Sequence, residues 1–209
     1  MTERERRVVR TANELVRRHG LTLPVDVAAL CRHYGARLVT LSELERRGMS
    51  REAVFAVWGN RDGVAMASRR GRTIGYNDRA AEKRIRFTLA EELMHLLLGH
   101  TADRRFAVAS QSYDEELYAR YEAEAQHGAC MLLIPPTVYF RYRELYGTAG
   151  VARLCRVSHA CAWTAARYYE ENEEELRALF TAEPLRCPVG ALERRRPLRP
   201  RRVTADASF

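Results

Sequence analysis

Apolar residues recur along this chain at the three-to-four spacing of amphipathic helices, broken in the first third by short runs of strand-forming residues. Glu3 to His19 reads as one such helix ended by Gly20, and Pro24 to Tyr34 as a second ended by Gly35. Arg37 to Leu41 reads as a strand. Val54 to Trp58, Gly63 to Ser68 beyond the turn-like Asn60-Arg61-Asp62, and Arg72 to Asn77 after Gly71 read together as an antiparallel meander. The stretch from Arg86 to His100, RFTLAEELMHLLLGH, is a helix apolar on most of its circumference and should be largely buried. His100 to Asp114 lacks periodicity and reads as a loop or broken helix. Glu115 to Ile134 resumes a helical pattern that Pro135 and Pro136 stop. Val151 to Tyr169 follows as two short helices resembling a helix-turn-helix, with Ser158 as the N-cap of the second. Beyond Pro184 the chain is rich in proline and arginine and reads as a disordered or partner-binding tail.

Two polar groups interrupt these apolar helices. Glu91 and His95 lie four residues apart, hence on one helix face, with Glu92 adjacent. This is the spacing of the HExxH metallopeptidase motif with glutamate in the first histidine's place. Charged groups on a buried helix are costly unless paired, hydrogen-bonded or metal-bound. A pair able to hold one metal ion, with Glu92 beside a bound water, satisfies that demand; so does an ion pair of Glu91 and His95 on a narrow solvent face. Glu124 and His127 share a face of the later helix. The two ExxH pairs, Glu92 with His95 and Glu124 with His127, also match di-iron carboxylate bundles, but the strand-like segment before them does not suit a four-helix bundle.

Taken in order, TIGYN (Thr73 to Asn77), RFTLAEELMHLLLGH and EAEAQHGACMLLIP (Glu122 to Pro135) resemble the ImmA/IrrE family of zincin-like metallopeptidases, whose pattern is a strand ending in Asn, then RFTxAHExGHxxLGH, then ExEANxFAxxLLMP. The resemblance covers roughly Arg7 to Tyr169. It implies an α+β fold: a minimal metallopeptidase domain with a small antiparallel sheet, an active-site helix pair and a C-terminal helical segment. Position by position it implies His95 and Glu124 as metal ligands and Glu92 as the base that activates water, with Glu91 at the remaining ligand position. Zinc is the first candidate ion. Two anionic ligands lower the effective charge of the ion and shift preference toward manganese or iron(II). Tyr76 is nominated as a donor to the developing oxyanion, and His127 and Asn77 as residues supporting the ligands. Met94 stands for the family's glycine, Gln126 for asparagine and Gly128 for an aromatic residue; Met94 is expected to crowd the substrate side. The family's substrate class implies cleavage of a helix-turn-helix transcriptional repressor, with an extended peptide laid along the sheet edge. The alternative is a non-catalytic relative that binds a repressor or other partner through the same groove.

Composition adds limits. The 209 residues, 46% hydrophobic, suit one compact domain with a small helical appendage: 1–147 as the metallopeptidase domain, 148–183 as a helical extension packed on it, and 184–209 as a basic tail. MTERERRVV is not an apolar signal segment, and no apolar run is long enough to span a bilayer, so a cytoplasmic protein is expected. Cys31, Cys130, Cys155, Cys161 and Cys187 are odd in number and lack CxxC spacing, which favours buried free thiols over disulfides. The net charge of +8 lies largely near the two ends, and the run EENEEE from Glu170 to Glu175 follows Arg167, the best phosphate-contact candidate. Specific nucleic-acid binding is therefore not expected.

Overall fold

The computed structural model describes residues 1–103 and 115–188. Helix α1 (Glu3–His19) is closed at its start by a capping box, in which the Thr2 hydroxyl accepts from the Glu5 amide and the Glu5 carboxylate accepts from the Thr2 amide. Its end is closed by Gly20 in the left-handed region. The stripe Val8, Val9, Ala12, Leu15 and Val16 is buried. Helix α2 (Val27–His33), capped by Asp26, leads into strand β1 (Ala36–Thr40), and α3 (Leu41–Arg46) follows directly.

The segment expected as the first strand of a meander is instead helix α4 (Arg51–Trp58). Its β-branched and aromatic residues suggest a strand, but Ser50 caps its first turn by accepting from the Ala53 amide, and Gly59 ends it at φ 73°. Local capping thus overrides residue preference. Val54 and Trp58 pack with Leu41 in a small satellite core.

Strands β2 (Gly63–Ser68) and β3 (Gly71–Tyr76) form an antiparallel hairpin, and β1 joins the far side of β3 in parallel, giving the order β1-β3-β2. The sheet is therefore mixed rather than wholly antiparallel, because the chain crosses from β1 to β3 by way of α3, α4 and β2. β1 and β2 are therefore the two edge strands. At the start of β2, Gly63 lets the strand approach the long helix that follows: a Cβ there would lie 2.6 Å from the Thr88 methyl and 2.7 Å from the Gly75 carbonyl oxygen.

That helix, α5 (Glu82–Leu98), is the centre of the molecule. Thr88 to Leu96 is buried without interruption, and α5 packs against β2, β3, α2 and α6 (Glu115–Leu133). Helix α6 lies between α5 and α1. Pro136 begins α7 (Pro136–Cys155), which Gly147 kinks at φ 62°, ψ 173°, a conformation that glycine tolerates. Helices α8 (His159–Glu171) and α9 (Glu173–Leu179) follow; the Ser158 hydroxyl accepts from the Cys161 amide as expected of the N-cap. One continuous hydrophobic core runs from Val8 to Ala182, so the C-terminal helices share the core of the α5–α6 pair. Arg186 reaches back to pair with Thr22. The loop expected up to Asp114 lies, from 104 onward, outside the described residues, as does the tail from 189. No helix among the described residues is long and apolar enough to cross a membrane. All five cysteines are free thiols, four of them buried.

Candidate active site

Between α5, α6 and the start of β2 lies a cavity of about 190 Å³. Helix α5 contributes Arg84, Glu91, Glu92 and His95. The turn before β2 contributes Asn60 and Asp62, and α4 contributes Trp58. Helix α6 contributes Tyr118, Glu122 and Gln126, which recur every four residues and so form one stripe along its face.

The cavity is strongly acidic for its degree of burial. Burial, reinforced by Glu122, raises the Glu91 carboxyl to about 7 although the Gln126 amide donates to it. Burial, then Glu91 and Glu122, raises Glu92 to about 8, against the pull of the Ala65 amide that donates to it from β2. Burial also raises Glu122, partly offset by the Tyr118 hydroxyl donating to it. Among the described residues that line the cavity, the cation is Arg84, engaged 2.6 Å away by Asp62.

His95 is held at the floor of this cavity by a relay. Burial and the His100 ring push His95 down to about 3, and burial also lowers His100, so both rings are neutral near pH 7. His100 Nε2 lies 3.1 Å from Glu124 Oε2, and His100 Nδ1 lies 3.1 Å from His95 Nδ1. A carboxylate accepts, so His100 Nε2–H donates to Glu124; His100 Nδ1 then accepts from His95 Nδ1–H. This leaves the lone pair of His95 on Nε2, which faces Glu122 Oε1 at 3.4 Å. Two lone-pair donors facing each other in a buried site require a proton or another cation between them. Glu91, His95 and Glu122 are in that sense chemically suited to a divalent ion. They border one cavity without yet converging, for among the described residues no three His, Cys, Asp or Glu side chains are gathered into a metal cluster.

Glu91, Glu92 and His95 all line the cavity, but the structure separates them from Glu124. Residues two apart on a helix point about 200° apart, and it is Glu122 that faces α5. Glu124 turns to His100 and to Arg4, 3.3 Å away, where it supports His95 through the relay. Tyr76 does not border the cavity; its ring packs against the main core, and burial raises its hydroxyl. Asn77 acts from behind: its amide donates to the Arg61 carbonyl and its backbone amide to the Asp62 carbonyl, fixing the turn that carries Asp62. His127 faces away from the cavity and stacks on Tyr168 with centroids 4.0 Å apart. Met94 does not crowd the substrate side either. It is fully buried, and a Cβ at Gly128 would lie 2.4 Å from its Cε, so Met94 fills the space left by the small residue on α6. The two departures from the family pattern are thus one compensated exchange. Glu122, Tyr118, Arg84 and Asp62 were not singled out from sequence; the four-residue spacing of Tyr118, Glu122 and Gln126 is the signal that points to the first two.

No curated protein matches the chain at a significant level. The profile of the Peptidase_M78 family, described as the IrrE N-terminal-like domain, matches residues 53–180, which include most of α4, the β2–β3 hairpin, the α5–α6 pair and helices α7 to α9. With that match spanning more than half of the chain, the protein belongs to the IrrE N-terminal-like peptidase family.

Proposed function

We propose that this chain is a metal-dependent endopeptidase that cleaves a helix-turn-helix transcriptional repressor in the cytoplasm, as part of a stress response. The observation that carries the reading is the pairing of Glu91, Glu92 and His95 on α5 with Tyr118, Glu122 and Gln126 on α6 across one cavity beside an edge strand. Glu91, His95 and Glu122 are the residues that would hold a divalent ion, zinc first, with manganese or iron(II) suited to the two carboxylates. When bound, such an ion supplies Lewis-acid activation of water and of the scissile carbonyl.

The remaining work falls to the chain's own groups. Glu92 is the proton carrier: its carboxylate takes a proton from the attacking water and gives it to the leaving amine. The Ala65 amide holds that carboxylate in place. A value raised to about 8 by burial suits the acid half of the cycle, and a cation held beside it would lower it toward the base half. Tyr118, in the cavity, takes the oxyanion-donor role first assigned to Tyr76, its hydroxyl turning from Glu122 to the oxyanion once a bound cation engages that carboxylate. β2 offers its outer backbone groups to an extended substrate.

A second reading, a non-catalytic relative that binds a repressor through the same groove, is favoured by one observation: a carboxylate at Glu91 where the family carries histidine, in a site whose donors are not gathered. One assay separates the two. The purified chain, supplied with zinc or manganese and the repressor encoded beside it, should cut the repressor, and Glu92→Gln should not. Binding without cleavage by the unaltered chain in either metal would overturn the catalytic reading in favour of the second.

A further inference from the structure

A second cavity, of about 440 Å³, adjoins the candidate active site and shares Arg84 and Gln126 with it. Its wall includes two cysteines from different helices, Cys130 on α6 and Cys161 on α8, whose sulfurs stand 3.9 Å apart. Phe87, Ala160 and Thr164 line it too, with Ala81, Lys83 and Ser158. We propose that Cys130 and Cys161 form a dithiol site oxidised by hydroperoxides, closing a disulfide that ties α6 to α8.

Three features support it. The sulfurs need to approach by only about 2 Å to reach bonding distance, within reach of side-chain rotation. Both thiols border a cavity large enough to admit a small peroxide, unlike Cys31, which is buried in the core and raised to about 12. Either thiol can donate to the other across this contact, and Cys161, 9% exposed against 2% for Cys130, is the sulfur a peroxide entering the cavity reaches first, which makes Cys161 the attacking partner. Its thiolate attacks one peroxide oxygen; the O–O bond breaks, hydroxide or alkoxide leaves, and Cys161 becomes a sulfenic acid. The Cys130 sulfur then attacks Cys161, the S–O bond breaks, and the Cys130 proton leaves with the departing oxygen as water. Two thiols lose two electrons, and one hydroperoxide is reduced to water and water or alcohol.

The disulfide would lie one helical turn from Gln126, whose amide donates to Glu91 at the edge of the candidate active site.

Tryptic fragments separate the thiols, since Cys130 falls in residues 121–141, Cys161 in 157–167 and Cys155 in 154–156. The folded full chain is treated with one equivalent of hydrogen peroxide, denatured in iodoacetamide, digested and weighed. The expected product is fragment 121–141 joined to 157–167 with loss of two hydrogens, released by dithiothreitol, with Cys31 and Cys155 alkylated. Cys161→Ser should abolish it. Complete alkylation of Cys130 and Cys161, over-oxidised Cys161 without a cross-link, or Cys161 joined to Cys155 would each overturn the proposal.

Discussion

Replacing Glu92 by glutamine should stabilise the metal-free protein at alkaline pH while abolishing its chemistry. The carboxyl is raised from 4.5 to about 8 by burial and by Glu91 and Glu122. Below pH 4.5 the folded and unfolded chains both carry it protonated, and it costs nothing. As pH rises from 4.5 toward 8 the unfolded chain releases the proton while the folded chain keeps it, so stability falls by about 1.4 kcal/mol per pH unit for this one group. A gap of about 3.5 units sets a ceiling of about 5 kcal/mol above pH 8. Glu91 and Glu122 share part of that repulsion, which brings the expected gain for Glu92→Gln to about 2–4 kcal/mol. Glutamine keeps an oxygen for the Ala65 amide, so packing is preserved. Urea unfolding of both proteins in chelator at pH 5 and pH 8.5 measures the difference. A gain at pH 8.5 that nearly vanishes at pH 5 is expected. An equal difference at both pH values, or a loss at pH 8.5, would refute the reasoning.

Other consequences are more local. Gly128→Phe should cost about 1–3 kcal/mol by driving into Met94, and Met94→Ala in the same chain should recover much of that loss, giving a favourable coupling of at least about 1 kcal/mol in a thermal-unfolding double-mutant cycle. Ser158→Ala removes the acceptor for the Cys161 amide and should cost about 1 kcal/mol, read as a lowered melting temperature. Tyr118→Phe should lower the repressor cleavage rate about 100-fold with little change in stability, whereas Tyr76→Phe should leave that rate unchanged.

Much of the fold is legible where local signals agree. Gly20, Ser158 and the Pro135-Pro136 pair all end or begin helices where their chemistry requires. α4 is misread because Val54, Phe55, Val57 and Trp58 favour strands, while the caps at Ser50 and Gly59, equally visible, carry the opposite message. The parallel pairing of β1 with β3 is a long-range fact that no local pattern encodes. At the site, α5 is legible because a carboxylate pair and an imidazole stand out in an apolar helix. α6 is not, because EAEAQH offers two glutamates two positions apart, and only the rotation of the helix against α5 selects Glu122. The role left to Glu124 depends on His100, five residues beyond His95 and brought back by Gly99 at φ 80°.

The most direct test of this account is the divalent metal bound per chain in the unaltered protein, Glu122→Ala and Glu124→Ala, each purified without chelator and reloaded with zinc or manganese before mass spectrometry. About one equivalent in the unaltered chain, lost in Glu122→Ala and retained with affinity weakened about 10- to 100-fold in Glu124→Ala, is the expected result. Loss of metal in Glu124→Ala with full retention in Glu122→Ala, or no metal in the unaltered chain, would contradict it.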